Sequence, residues 1–150
     1  EDLIEWSGFT TSNVGEAKSK GFESALDAIF GNFTSTFTFS YLDAMNSTSN
    51  ERLLRRPRIV GNLILQHSTQ VKTIGVGLTW LHDTIDLDGS TFSRIKGEDY
   101  TVVRLYGDRQ INESIKFFGR IENLLGEEYD EADGYPALGC QAYAGLRFIF

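Results

Sequence analysis

The chain has 150 residues, a formal charge of −7 and a pI near 4.8, a balance that excludes the basic face needed for nucleic-acid binding. Eleven Phe, six Tyr and fifteen Gly against two Pro bias it toward strands and turns. No stretch approaches the roughly 20 consecutive apolar residues of a membrane-spanning helix, but a β-barrel strand needs only about 9 to 11 alternating residues and is not excluded.

In chain order, Glu1 to Trp6 reads as a strand-like stub, and Ser7 to Gly15 as a polar run. Glu16 to Phe30 alternates with the period of two that a strand demands, with Phe22, Leu26, Ala28 and Phe30 opposed to Gly21, Glu23, Ala25 and Asp27. Gly31-Asn32 is a two-residue turn signal. It leads into the clearest strand, Phe33 to Leu42, where Phe33, Phe37, Phe39 and Tyr41 alternate with Thr34, Thr36, Thr38 and Ser40. Strands joined by so short a turn are antiparallel neighbours. Asp43 to Arg56 is a polar loop closed by Pro57.

Arg58 to His67 sets Ile59, Gly61, Leu63 and Leu65 against Asn62 and Gln66. After a turn at Ser68 to Val71, Lys72 to Asp83 sets Ile74, Val76, Leu78 and Trp80 against Gly75, Gly77 and Thr79. A second polar loop covers Thr84 to Gly97. Glu98 to Arg109 is less clean, with Val102 and Val103 on opposite faces; Val103 and Leu105 are placed on the apolar side and Arg104 on the polar side. A short turn near Gln110 to Asn112 precedes Glu113 to Leu124, where Ile115, Phe117 and Ile121 oppose Lys116, Arg120 and Glu122. Leu125 to Cys140 is the longest loop. The last strand, Gln141 to Phe150, carries Ala142, Ala144, Leu146, Phe148 and Phe150 on one face and Tyr143, Gly145, Arg147 and Ile149 on the other.

The pattern predicts an all-β antiparallel up-and-down meander of seven full strands plus the stub, with long and short connections alternating strictly. Outer-membrane barrels show that asymmetry, with tight turns at one end and long loops at the other. Trp6, Tyr41 and Trp80 fall near the long-loop ends, and Phe30, Phe33, Phe148 and Phe150 near the tight-turn ends, as two aromatic girdles would. Periodicity does not say which face is inside. A soluble ligand-binding calyx would hide the Phe-rich face, and a membrane barrel would turn it to lipid. A self-contained eight-stranded barrel with a structural or adhesive role is a further alternative, and in it the last strand would pair with the stub.

Candidate chemistry is sparse. His67 and His82 lie in or beside different strands and lack a second ligand at metal spacing; His82-Asp83, near a loop mouth, is expected to be solvated polar surface. Glu127, Glu128, Asp130, Glu131 and Asp133 could hold a divalent cation with oxygen ligands, but they lack the spacing and Gly of a calcium loop, so a solvated acidic loop is the stronger reading. Cys140 has no disulfide partner and no evident His, and Ser, His and Asp do not occur in a nucleophile-elbow context; neither an enzyme nor a cofactor is indicated.

Phe117 to Phe150 resembles the closing strands of TonB-dependent outer-membrane receptors. The carrying motifs are Glu122-Asn123-Leu124, Glu128-Tyr129, Gly134-Tyr135-Pro136, Gly139, and Gly145-Leu146-Arg147-Phe148 through Phe150. Upstream, Ala17 with Lys20-Gly21-Phe22-Glu23 resembles the family's Gly-apolar-Glu strand, and Arg55-Arg56-Pro57 its Arg-Arg-Pro entry to the next strand. Cys140 departs from the polar residue often found there.

The resemblance implies that residues 1–150 are the C-terminal segment of a plugged barrel of about twenty-two strands in a bacterial outer membrane, with the plug and earlier strands lying outside the chain. It implies uptake of an iron-siderophore complex, cobalamin or a similar scarce small-molecule ligand, with TonB and the plug as partners only through the missing N-terminal part. Outer-membrane lipid would meet Phe22, Leu26, Phe30, Phe33, Phe37, Phe39, Tyr41, Leu63, Leu65, Ile74, Val76, Leu78, Trp80, Phe117 and Leu146. The lumen would be lined by Thr34, Thr36, Thr38, Asn62, Gln66, Thr79, Arg104, Lys116, Arg120 and Glu122. Tyr143, Gly145, Phe148 and Phe150 resemble the signal read by the barrel-assembly machinery.

Overall fold

A computed structural model of the chain describes residues 4–6, 11–13 and 16–149, the first two stretches by backbone alone. Two short strands, β1 (Ile4–Trp6) and β2 (Thr11–Asn13), pair with each other. The alternating segments then form β3 (Ala17–Phe30), β4 (Phe33–Asn46), β6 (Ile59–Ser68), β7 (Lys72–His82), β10 (Tyr100–Asn112), β11 (Ile115–Glu122) and β14 (Gln141–Phe148). They make one antiparallel sheet in the order β14-β11-β10-β7-β6-β4-β3, so chain neighbours are sheet neighbours throughout.

The long connections are not structureless. The first carries β5 (Glu51–Arg52), which adds to the end of β4. The second holds the hairpin β8 (Ile85–Leu87) with β9 (Arg94–Lys96), and the third the hairpin β12 (Asp130–Ala132) with β13 (Tyr135–Pro136). β3 and β4 are 14 residues each; β3 keeps, to within a residue, the bounds the alternation suggests, while β4 runs four residues past Leu42 because pairing continues to Asn46 opposite Ala17. On the other side of the sheet, Gln110 and Asn112 bracket a register shift that leaves Ile111 unpaired between β10 and β11.

Directly opposed residues share a face, and the register sorts them cleanly. Leu26, Phe37, Leu63, Leu78 and Val103 form one apolar row across five strands. Thr34, Gln66, Gly75, Tyr106, Arg120 and Tyr143 form a row on the opposite face across six. Val103 and Leu105 fall on the apolar side and Arg104 on the polar side, as the sequence pattern suggested.

Among the described residues, nothing covers either face. Among the described residues, the buried apolar side chains are Ala44 and Leu53, a small cluster where β5 meets the top of β4. Phe30 is 85% exposed and Leu26 64%, so the aromatic face is not a dry interior. Among the described residues the sheet is also open: β14 pairs only with β11, and β3 only with β4, with no hydrogen bonds between the two edges. Among the described residues, the pairing of the last strand with the stub that a self-contained barrel needs is not seen.

Candidate functional site

Each residue expected on the apolar face, from Phe22 to Leu146, lies there by register. Phe22 packs on Phe39 at 5.6 Å between ring centroids, and Phe37 on Trp80 at 6.2 Å. His67 belongs to this face as well, its ring 4.6 Å from that of Phe33. The side chain of Trp6 and all of Phe150 lie outside the described residues.

The polar face is knit by side-chain hydrogen bonds. Asn62 sits between two threonines, donating to Thr38 Oγ1 at 3.2 Å and accepting from Thr79 Oγ1 at 2.8 Å. Tyr106 Oη donates to Gln66 Oε1 at 3.0 Å, and Thr36 Oγ1 to Asp27 Oδ1 at 2.6 Å. Toward β14 the ladder becomes ionic. Glu122 accepts from Arg104 Nε at 2.6 Å and lies 3.4 Å from Arg120 Nε, while the Arg120 guanidinium stands 4.8 Å over the ring of Tyr143. Lys116 pairs with Asp108 at 2.7 Å. Of the residues expected to line the lumen, Thr34 makes no side-chain hydrogen bond or ion pair among the described residues.

At the long-loop end, the three long connections converge on Asp86, which is 3% exposed. One carboxylate oxygen accepts from Arg55 Nε and from the Leu87 N–H, at 2.8 and 2.9 Å, and the other from the Asp133 N–H at 2.8 Å. Burial pushes the Asp86 carboxyl up, but the Asp133 N–H, the Arg55 guanidinium and the Leu87 N–H together hold it below the ordinary carboxylate range. Asp133 in turn accepts from the Gly89 N–H at 2.7 Å, and Glu98 from the Asp130 N–H at 2.7 Å. Arg55 has a φ of 53°, a left-handed backbone fixed by its N–H donating to the Ile85 carbonyl.

A second knot ties the bases of the same loops. Asp83 bonds Arg52 at 2.8 Å and lies 3.3 Å from Arg58, which also bonds Asp43 at 2.7 Å. The Arg52 hydrogen bond, with Arg58 beside it, holds the Asp83 carboxyl below its ordinary value. Asp99 is lowered by Lys96 and by the Asp83 N–H. Its nearest imidazole, His82 Nδ1, stands 3.8 Å away.

Between these loops and the polar face of β10, β11 and β14 lies a cleft of about 1220 Å³. Arg55, Phe92, Arg104, Tyr129, Tyr135 and Gln141 are among its walls. Tyr129 is held by stacking on Tyr100, with ring centroids 3.8 Å apart. Asp86 is not among the residues that stand out in the sequence. The available signal was an acid flanked by two apolar residues in Ile85-Asp86-Leu87, a pattern that buries the acid once the segment becomes a strand. Among the described residues no group of three or more His, Cys, Asp or Glu is placed to hold a metal ion. The carboxylates of Asp130 and Asp133 accept backbone N–H groups from Gly134 and Gly89 instead.

Comparison with known proteins gives a consistent result. The family model described as "TonB dependent receptor-like, beta-barrel" matches residues 1–124. Among solved structures, the FpvA receptor of Pseudomonas aeruginosa bound to a heterologous pyoverdine superposes with a TM-score of 0.77 at 14% identity, over 98% of this chain and 23% of the receptor. The ferric-catecholate import receptor Fiu of Escherichia coli K12 gives 0.75 at 17% identity, over 99% and 24%. The siderophore receptor PiuA of Acinetobacter baumannii gives 0.73 at 20% identity, over 93% and 23%. At these identities the likeness is one of fold, and the chain spans about a quarter of the length of each neighbour.

Proposed function

Because the chain belongs to the TonB-dependent receptor β-barrel family, a family of outer-membrane barrels, we propose that it forms the closing wall of such a receptor. In this reading the receptor imports a scarce ligand, an iron-siderophore complex, cobalamin or a relative of these. The supporting observation is the division of one sheet into an aromatic face with no packing partner among the described residues and an opposite face of hydrogen-bonded and ionic side chains. An exposed apolar surface of that extent requires lipid or a partner.

The roles follow from the two faces. The Phe, Leu and Trp side meets acyl chains. The Thr, Asn, Arg and Glu side faces the bore, where the ladder from Thr38 to Glu122 supplies donors and acceptors to a plug. The cleft under the long loops receives part of the ligand, because binding residues concentrate on loops held by a rigid scaffold. Asp86 fixes the side chain of Arg55 and the backbone of Asp133 before a ligand arrives, so less ordering has to accompany binding. The two edges would join the strands that complete the barrel, and Tyr143, Gly145, Phe148 and Phe150 would be read by the assembly machinery. TonB would act through a plug outside this chain.

Uptake tests the reading. Cells lacking the receptor that carries this chain should lose accumulation of one labelled ligand from a panel of ferric siderophores and cobalamin, and regain it on complementation. Unchanged accumulation across the panel would argue against it.

A further inference from the structure

The apolar face carries one feature that its role as a lipid boundary does not require. On the tight-turn side of the sheet, Ile74, Gly107, Gly119 and Ala144 form a single cross-strand row. The row on one side contains Leu105 and Ile121, and the row on the other Lys72, Arg109, Phe117 and Leu146. Two opposed glycines between rows of large side chains leave a furrow, an apolar cavity of about 480 Å³.

The furrow is charged at one margin. Lys72 and Arg109 are directly opposed across β7 and β10, on the face that is otherwise aromatic and aliphatic, and both are exposed. Among the described residues neither side chain has a carboxylate or any hydrogen-bond partner. Lys116, on the polar face, is by contrast paired with Asp108. Two like charges placed opposite each other on a strand pair repel unless an anion lies between them. Lys72 is the first residue of β7 and Arg109 lies near the end of β10, so both stand close to the membrane boundary, where long basic side chains reach the headgroup layer.

We propose that this furrow is a site for an acidic glycerophospholipid of the leaflet at the tight-turn end. Its phosphate would lie between Lys72 and Arg109, and one acyl chain along the Gly107-Gly119 floor. Charge complementarity selects the headgroup, and the apolar furrow selects a diacyl lipid over free phosphate. The inference rests on the orientation proposed above, in which this face meets lipid.

The test uses the receptor that carries this chain, in nanodiscs of phosphatidylethanolamine with one fifth phosphatidylglycerol, and counts co-purifying lipid by native mass spectrometry. The wild type should retain phosphatidylglycerol at least tenfold above its bulk ratio. K72Q/R109Q should return to the bulk ratio, and K72R/R109K should keep the enrichment. G119L fills the furrow where an added Cβ meets nothing nearer than the Tyr143 carbonyl at 3.4 Å, and it should lower occupancy with both charges intact. Bulk-ratio lipid on the wild type, or equal enrichment in K72Q/R109Q, overturns the proposal. A nitroxide at L78C, in a C140S background, separates the two readings. If it is open to oxygen and closed to a nickel chelate while no enrichment occurs, only the lipid site fails. If it is open to the chelate, the orientation fails and the site with it.

Discussion

Gly61, Gly75 and Gly145 each lie directly opposite an aromatic residue whose ring folds down over the glycine: Trp80, Tyr106 and Phe118 respectively. A Cβ at Gly145 would sit 2.6 Å from Cζ of Phe118, so any larger residue must displace the ring. Overpacking of this kind costs about 1–3 kcal/mol. G61V and G145V should therefore each lower the urea midpoint of the folded receptor, followed by heat-modifiable gel mobility, whereas G139V, with nothing within 4 Å of its Cβ, should leave it nearly unchanged. An equal effect of all three would refute this packing account. The glycines are visible in the sequence as interruptions of an alternating run. What they accommodate is not, because the covering ring comes from another strand and depends on register.

Asp86 belongs to the scale of elements, since its partners come from all three long connections. Removing the carboxylate in D86A strands two backbone N–H groups and leaves Arg55 without its anchor. Each unsatisfied buried donor costs roughly 1–3 kcal/mol, so hydrogen exchange at 85–96 and 128–137 should accelerate at least tenfold while β6 and β7 stay protected. Exchange as slow as the wild type would show that the loops are held by other contacts. The pH dependence has a definite sign. The folded-state pKa values of Asp86 and Asp83 lie below 3.8, so their stabilisation is full above the ordinary carboxylate range and is lost as pH falls through the lowered values. Exchange in these loops, corrected for intrinsic rate, should be flat from pH 7 to 5 and rise only below about pH 4. The main strands were legible from period-two alternation to within a few residues. The short hairpins β8–β9 and β12–β13 were not, because three-residue strands carry too few alternations, and their stability comes from a carboxylate contributed by a neighbouring loop.

At the scale of the molecule, the sheet has, among the described residues, two unpaired edges and two uncovered faces, an arrangement that water alone does not support. The order of strands follows directly from the alternation of long and short connections, and the sequence carried that part in full. Periodicity does not choose between the faces, since a period of two is symmetric between them; the proposed orientation rests on the exposed aromatic side chains of one face and the hydrogen-bonded ladder of the other. For assembly, F148A and G145V should reduce insertion of the receptor into outer membranes several-fold in a protease-protection assay, while A144S, on the same strand, should not. Insertion unaffected by F148A would remove Phe148 from the assembly signal.

The β3–β4 hairpin is longer than a bilayer needs. Fourteen residues at about 3.4 Å each, tilted by about 40°, rise some 36 Å, against an apolar band of about 25 Å. In the proposed orientation, roughly the outer third of the hairpin, with Ala44 and the added strand β5, would project above the lipid as a stiff mast to which the first long connection is lashed. Bulky objects arriving at the cell surface would meet this mast before the headgroups, and an antibody raised against Asn46 to Glu51 should bind whole cells without permeabilisation.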